Sequence, residues 1–592
     1  MERIVRFFKY LLKYRNRLVD HVMFYMSMIC ALLTITHIGY ITDSGVAKTT
    51  ESLVLGSFYL LFVLVGIRTT AAVLARRKLN SSHISGLLLT AYFLLIVFCH
   101  INQVEYFAKN EWVYLGIAVV FLSELSRSSL FFDNLYFNPT ILFVISFLAL
   151  ILLGTVLLML PRTTLEAPLS FVDALFMATS AVCITGLSVT DISTNFSVFG
   201  QSVIMLLIQI GGLGIMTFTG FFGYFFSGGF SYKNQLMFGE ILGENKLNSV
   251  VSTLLTIIFI TLFFELLGGI FIYFSLDAKL FDSNAERVFF SAFHAISSFC
   301  NSGFSILHGG ITHEGYQHNY AFQICLASIF ILGGLGFGTV FNFYSFLKNR
   351  TRQVIQEWIL RKPFIHKPRA ITFNTRFVLT CNAIVVIGAT LSYYFLEQGH
   401  TLTEHASASG EWATSFFMAN SSRSAGFNSV PVGFVSGPTL IMLVTLMWVG
   451  SSPGSTGGGV KVTTVAVALM NIVALARGKD SIEVYRRRIA PESVNKSFAI
   501  ILLSVLVIAL SFVLLTFAQP DQQMKILLFE SISAYTTCGL SLGVTPSLSA
   551  AGKIIVVFTM FVGRVGTLTL LVAFIKNTKN KSYIYPSEKI LF

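Results

Sequence analysis

"SAVCITGLS", residues 180–188, sets small and hydroxyl residues between long apolar stretches of a 592-residue chain. Aligned on Gly186, three more copies appear: "SSFCNSGFS" (297–305), "NSSRSAGFN" (420–428) and "SAYTTCGLS" (533–541). Six residues before each glycine stand Ser180, Ser297, Asn420 and Ser533, and ten before it Phe176, Phe293, Phe416 and Phe529. Directly after it come Leu187, Phe304, Phe427 and Leu540, then Ser188, Ser305, Asn428 and Ser541. The glycines Gly186, Gly303, Gly426 and Gly539 are 117, 123 and 113 residues apart, each between two apolar segments. An internal repeat of this kind decides the architecture before any local reading.

Composition sets the surroundings. The chain is 54% hydrophobic and 12% charged, against roughly 25% charged in soluble domains. Apolar runs long enough to cross a bilayer fall near 21–41, 53–74, 84–102, 112–131, 140–160, 198–226, 250–275, 320–347, 371–396, 436–475, 497–518 and 553–575. Twelve such spans put both termini on one side. Basic clusters at 1–17, 76–78, 348–369, 477–488 and 576–581 carry much of the +13 charge, and the positive-inside rule assigns them to the cytoplasm. Membrane orientation accounts for this charge without nucleic acid. The basic start leads into a long apolar run without a small-residue cleavage site, which reads as a retained span. The seven cysteines show no metal-ligand spacing and read as free thiols.

Each repeat thus reads span, short helix, glycine loop, span. The short helices, near 171–181, 287–298, 411–421 and 525–534, cannot cross a bilayer alone. Re-entrant backbone is tolerated at membrane depth where it is buried in protein or lines water. Four such loops around one axis form a ring of carbonyls that replaces an ion's hydration shell, with glycine admitting the positive φ this needs. The competing reading, small residues for close helix packing, suits one copy better than four in register. The expected fold is therefore all-α and polytopic, with four span–short helix–span repeats around one pore and about four peripheral N-terminal helices.

The loops resemble the Trk/Ktr/HKT superfamily of K⁺ transporters. The likeness covers about 138–580 and is strongest in "SAVCITGL", "FCNSGFS", "SAGFN", "GSSPGSTGGGVKVTT" and "VGRVGTLT". It implies a K⁺ filter made by Ile184, Thr185 and Gly186; Asn301, Ser302 and Gly303; Ser424, Ala425 and Gly426; and Thr537, Cys538 and Gly539. Glycine at all four central positions resembles the K⁺-preferring members. It also implies an intramembrane gate of Gly450, Ser451, Ser452, Pro453, Gly454, Ser455, Thr456, Gly457, Gly458 and Gly459 with Lys461 and Arg564. Further implications are uptake of K⁺ as transported ion with no organic cofactor on this chain, a homodimer, and a cytoplasmic RCK-type nucleotide-binding subunit. The setting would be a bacterial-type cytoplasmic membrane, with lipid as neighbour and both termini inside. The resulting divisions are 1–135 (extension), 136–245, 246–365, 366–490 and 491–592. A sodium-coupled or sodium-permeable symporter on the same scaffold is the alternative, and a membrane enzyme or structural subunit a remote one. No HExxH or GxSxG pattern supports an enzyme.

Several residues stand out by themselves. The stretch 449–465 must break an apolar helix; its Gly454–Gly459 spacing imitates a phosphate loop, but Lys461 comes one residue late. Arg564 sits mid-span, where a cation costs at least about 2.5 kcal/mol by insertion scales and needs water or a partner. It is expected to donate to carbonyls freed in 450–460. Lys461 either snorkels or shares that role. Arg423, three before Gly426, is expected to point away from the axis. Asp173 caps its helix or adds to an outer negative field, and Glu265 lies near the pore. "GGLG" at 211–214 and 333–336 reads as close helix packing. His308, His313 and His318, five apart beside Glu314, fit a metal site poorly.

Overall fold

The computed structural model describes residues 22–40, 44–75, 81–102, 104, 110–127, 139–213, 250–358, 371–405 and 407–574. The basic clusters at 1–17, 76–78 and 576–581, all of 359–369, and the part of the expected 198–226 span beyond 213 lie outside these residues.

Helices Val22–Tyr40, Ser44–Ala75, Ser81–Ile101 and Asn110–Arg127 belong to one compact unit. Its core stacks Phe58 on Phe93 at 4.6 Å among Met23, Cys30, Leu61, Val65 and Ile117. An Arg68–Glu124 ion pair lies within the unit. Outward positions such as Leu60, Val63, Leu88 and Phe98 are exposed and apolar, as a lipid-facing surface requires.

The second unit holds the four repeats. Repeat one comprises Pro139–Leu158, the short helix Phe171–Val182 and Val198–Gly212; repeat two, Val250–Ser275, Asn284–Phe299 and then Tyr320–Gly334 with Phe337–Trp358. Repeat three comprises Phe373–Glu397, Ala408–Ser421 and then Gly437–Trp448 with Val462–Ala476. Repeat four comprises Pro491–Ala518, Met524–Thr536 and then Ala550–Val565 with Thr567–Phe574. Serine starts three of the short helices. Ser170, Ser283 and Ser407 accept from the backbone N–H three residues on, satisfying donors a helix start leaves free.

Two more of the twelve expected spans are broken, in addition to the one expected to break over 449–465. Among the described residues, five helices are long and apolar enough to cross a membrane, or six if a bent pair counts as one. The bent pair is Tyr320–Gly334 and Phe337–Thr351, turned by 98°. Gly336, at φ +86°, makes that corner, and Gly566, at φ +87°, separates the last two helices. Only the break after Trp448 was expected. "GGLG" at 333–336 therefore turns the chain as well as packing it. Packing it does too: a methyl on Gly211 would strike Val182 O, on Gly333 Phe299 O, and on Gly563 Tyr535 O. Each of these carbonyls stands four residues before a loop glycine. Apart from an antiparallel pair of two-residue strands, 483–484 and 487–488, with Val484 opposite Arg487, and one bridge, Val449 to Val460, the described regular structure is helical.

Candidate functional site

The four glycine loops close on one another. A methyl on Gly186 would collide with the carbonyl oxygen of Ser302, on Gly303 with that of Ala425, on Gly426 with that of Cys538, and on Gly539 with that of Thr185. The contacts run from repeat one to two, two to three, three to four, and four back to one. Each glycine lies against the carbonyl of the residue preceding the next glycine, which is a ring. Their φ values are +88°, +73°, +74° and +94°, so an L side chain would be strained as well as obstructed.

Hydrogen bonds from the short helices shape the loops. The amides of Thr185, Ser302 and Cys538 donate to the carbonyls of Ser180, Ser297 and Ser533 at 2.8, 2.8 and 3.0 Å. Ile184, Asn301 and Thr537 consequently take φ of 56°, 56° and 49°, a left-handed state costing a non-glycine residue about 1–3 kcal/mol. Such strain persists only where the surroundings over-determine it. The hydroxyls of Ser180, Thr185, Ser302 and Thr537 are buried and make no hydrogen bond within the protein, though buried polar atoms are normally partnered. The C-terminal, carbonyl ends of the short helices lead into the ring, the polarity that favours a cation.

Repeat three departs. Its serine is Ser421, five residues before Gly426, which accepts from the amide of Ala425 at 2.8 Å and donates to Phe427 O at 2.5 Å. Ser297 makes the same bond to Phe304 O at 2.7 Å from six residues before its glycine. The buried phenylalanine is likewise Phe417, matching Phe176, Phe293 and Phe529, whereas Phe416 is half-buried. Loop three is one residue shorter, and the alignment of Asn420 and Phe416 is corrected accordingly.

Beyond each glycine a second contact supports the loop. His294 Nε2 and Ser305 Oγ are 2.9 Å apart, Ser541 donates to Glu530 at 3.3 Å, and Thr545 donates to the same carboxylate. Met177 accepts from Ser188 Oγ at 3.5 Å, and Met418 from the Ser429 amide at 3.3 Å. His294 and Glu530 escaped the sequence reading; ionisable residues inside otherwise apolar short helices were the available signal.

The 449–461 segment lies against the helix-end side of the ring. Ser452 N donates to Gly334 O at 3.1 Å, Phe337 N to Gly454 O at 3.0 Å, and Gly458 N to Ser424 Oγ at 3.0 Å. Thr456 Oγ1 donates to Phe299 O at 3.1 Å and lies 2.7 Å from the Asn301 amide. A methyl on Gly458 would strike Thr537, and one on Gly457 would strike Ser451 and Ser424. Ser455 folds back on Ser452 O, Gly450 N bonds Val460 O, and Val462 N bonds Ser451 O. Pro453 and Gly459 complete the turn, a methyl on Gly336 meeting Pro453 O and Gly459 standing at φ +71°. Arg564 donates to Thr456 O and, at 2.9 Å, to Gly211 O. Lys461 Nζ donates to Gly457 O at 2.6 Å and so turns into the protein instead of snorkelling.

Arg423 donates to Asn382 Oδ1 at 2.7 Å, and Asn382 Nδ2 to Ser452 Oγ at 2.6 Å. Asn382 thereby joins loop three to the broken segment; a lone amide within "VLTCNAIVVIG" was its signal. A polar cavity of about 20 Å³, room for one water, lies among Asn301, Asn382, Asn420, Arg423, Ser424 and Ser451. Ser170, not Asp173, is the cap of the first short helix; Asp173 pairs with Lys553 at 2.5 Å. Glu265 accepts from Gln209 at 3.0 Å. The three loop histidines do not converge: His308 pairs with Asp191 at 2.7 Å, His313 with Glu314 O, and His318 faces His405. All seven cysteines are free thiols.

Comparison with known proteins shows the family. Residues 121–584 match the family model TrkH, described as cation transport protein. Ktr system potassium uptake protein B of Bacillus subtilis is 34% identical over 456 residues, covering 77% of this chain and 96% of that protein. Potassium/sodium uptake protein NtpJ of Enterococcus hirae is 30% identical over 462 residues, 77% and 97%. The crystal structure of the potassium transporter TrkH from Vibrio parahaemolyticus superposes with a TM-score of 0.58 at 16% identity, over 83% of this chain and 97% of that one. The chain belongs to the TrkH family of cation transport proteins.

Proposed function

We propose that this chain carries K⁺ into the cell through the glycine ring, with 450–459, Lys461 and Arg564 as its gate. The observation that carries the reading is the cyclic closure of four positive-φ glycines on four backbone carbonyls. A dehydrated K⁺ needs such a cage of neutral oxygens, strong enough to replace water yet weak enough to release the ion. The membrane potential supplies about 2.3 kcal/mol per charge per 100 mV for inward movement. The 449–461 segment, held under three of the loops, obstructs the path, and the Arg564 guanidinium adds a positive barrier. Opening requires the Arg564–Thr456 and Gly458–Ser424 bonds to part. The sequence-identified basic segments 348–369 and 477–488 suit docking of an RCK-type nucleotide-binding ring on a homodimer in the cytoplasmic membrane, both termini inside.

A second reading, a sodium-permeable or sodium-coupled carrier, is favoured by the name of the Enterococcus hirae relative. Uptake of ⁸⁶Rb⁺ into proteoliposomes under an imposed potential, with and without a sodium gradient, tests both. Uptake that is driven by potential alone and competed by K⁺ over Na⁺ supports the first. Uptake that requires sodium supports the second, and no uptake under either condition contradicts both.

A further inference from the structure

We infer that the first helix of repeat three, Phe373–Glu397, carries a binding site for one anionic phospholipid. Its headgroup is held by Arg376, Arg486 and Arg487, and one acyl chain lies along the exposed apolar face of the same helix beneath them. The inference rests on three observations at one place.

The first is the hairpin. Strands 483–484 and 487–488 are joined by only two residues, Tyr485 and Arg486, at φ 48° and 60°. A two-residue turn with both φ positive normally uses Asn-Gly or its like, so contacts at the tip must hold this one. They do. Tyr485 Oη lies 2.8 Å from Thr380 Oγ1, and the Arg376 guanidinium stacks 4.4 Å over the Tyr485 ring. Arg487 stands 5.8 Å over Phe373, while Ile482 packs with Phe377 and Val467. Thr380 lies seven residues into its helix, about 10 Å along it. The tip is therefore folded back along a membrane helix, and its tyrosine is a residue type that suits the headgroup level.

The second observation is unpaired charge. Arg376, Arg486 and Arg487 are exposed. Among the described residues no carboxylate pairs with any of them; the cross-strand Glu483 stands opposite Arg488. Clustered arginine beside a membrane helix is the charge pattern that anionic lipid complements.

The third is an open apolar face of the same helix, which starts beside Thr380, where Tyr485 docks, and runs along Leu379, Ala383, Ile384, Ile387 and Gly388. Nothing lies within 4 Å of where a side chain on Gly388 would begin. An apolar face directly below a cationic head fits a phospholipid and gives a free phosphate no use for that face.

The test uses the full chain in vesicles of equal phosphatidylglycerol and phosphatidylcholine, followed by native mass spectrometry of retained lipid. The parent should keep phosphatidylglycerol in preference, and R376Q and R486Q should each lower that preference about fivefold. A photo-crosslinker at Ala383 should capture lipid. Glycerol 3-phosphate in excess should not displace it. Equal retention in parent and variants, capture of a second copy of the chain or of a soluble subunit at Ala383, or displacement by glycerol 3-phosphate would each overturn the inference.

Discussion

Repeat three and its three counterparts make the same ring from different parts. Repeats one, two and four set a serine six residues before the glycine and pass through a left-handed Ile184, Asn301 or Thr537. Repeat three does it with one residue fewer, from Ser421, and then breaks its second helix over 449–461 to lay backbone against the other loops. The ring contacts are nonetheless equivalent all the way round. Symmetry is thus kept where an ion would need equal oxygens, and given up on the side where a single obstruction suffices. Asn382, bonded to both Arg423 and Ser452, links the two departures.

The comparison can be broken most forcefully at the ring. Gly303→Val or Gly426→Val would drive a branched side chain into the carbonyl of the next loop. Uptake should fall by about a hundredfold or more in inserted protein, since no alternative backbone supplies those oxygens. Unimpaired uptake in either variant would remove the ring from the pathway. Next in size is the obstruction: shortening 453–458, or Arg564→Ala, should raise basal ⁸⁶Rb⁺ flux by about tenfold. The double variant should add little, because both act on one barrier. Fully additive gains would assign Arg564 a separate task.

A smaller effect sharpens the offset in repeat three. Ser421→Ala should cost about 1 kcal/mol of stability through the lost bond to Phe427 O. It should therefore resemble Ser297→Ala in a denaturation series. If Asn420→Ala copies Ser297→Ala instead, the offset is wrong.

The smallest effect lies on the outer connection, where Tyr320 Oη and His405 Nδ1 are 3.1 Å apart. Burial, and then the neighbouring His318, hold the His405 imidazole below its ordinary value. A group with a depressed folded-state pKa binds fewer protons folded than unfolded, so its neutral form is favoured by folding. Stability should therefore decline as pH falls below the ordinary imidazole range of about 6.5. The drop in Tm between pH 7 and pH 5 should shrink in His405→Gln; an unchanged drop would exclude this histidine as its source.

The repeat was legible because glycine spacing and apolar span length are one-dimensional signals. Two things were not. Gly336 and Gly566 turn the chain inside runs that stay apolar on both sides, so hydropathy reads through the corner; only their positive φ marks it. The offset in repeat three was hidden because "FFMANSS" offers Phe416 and Asn420 beside Phe417 and Ser421, and both pairs have the same spacing. The 483–488 hairpin lacked a signal because its turn is Tyr-Arg, without glycine or asparagine, and tertiary contact with Phe373 and Thr380 overrides local preference. At the candidate site, the loop residues and Arg564 could be named in advance. His294, Asn382 and Glu530 carried a signal, an ionisable or amide side chain in an apolar helix, but it did not name the hydroxyls and loop residues they bind.

The central claim is that backbone carbonyls of the glycine ring choose the ion. Competition of K⁺ and Na⁺ against ⁸⁶Rb⁺ uptake in proteoliposomes, parent beside Gly186→Ser, tests it most directly. Gly186 sits at φ +88° against Ser302 O, so serine there must shift that carbonyl. The account predicts strong K⁺ preference in the parent and, in correctly inserted Gly186→Ser protein, a preference reduced about tenfold with Na⁺ now competing. An unchanged K⁺/Na⁺ ratio in that variant would contradict it.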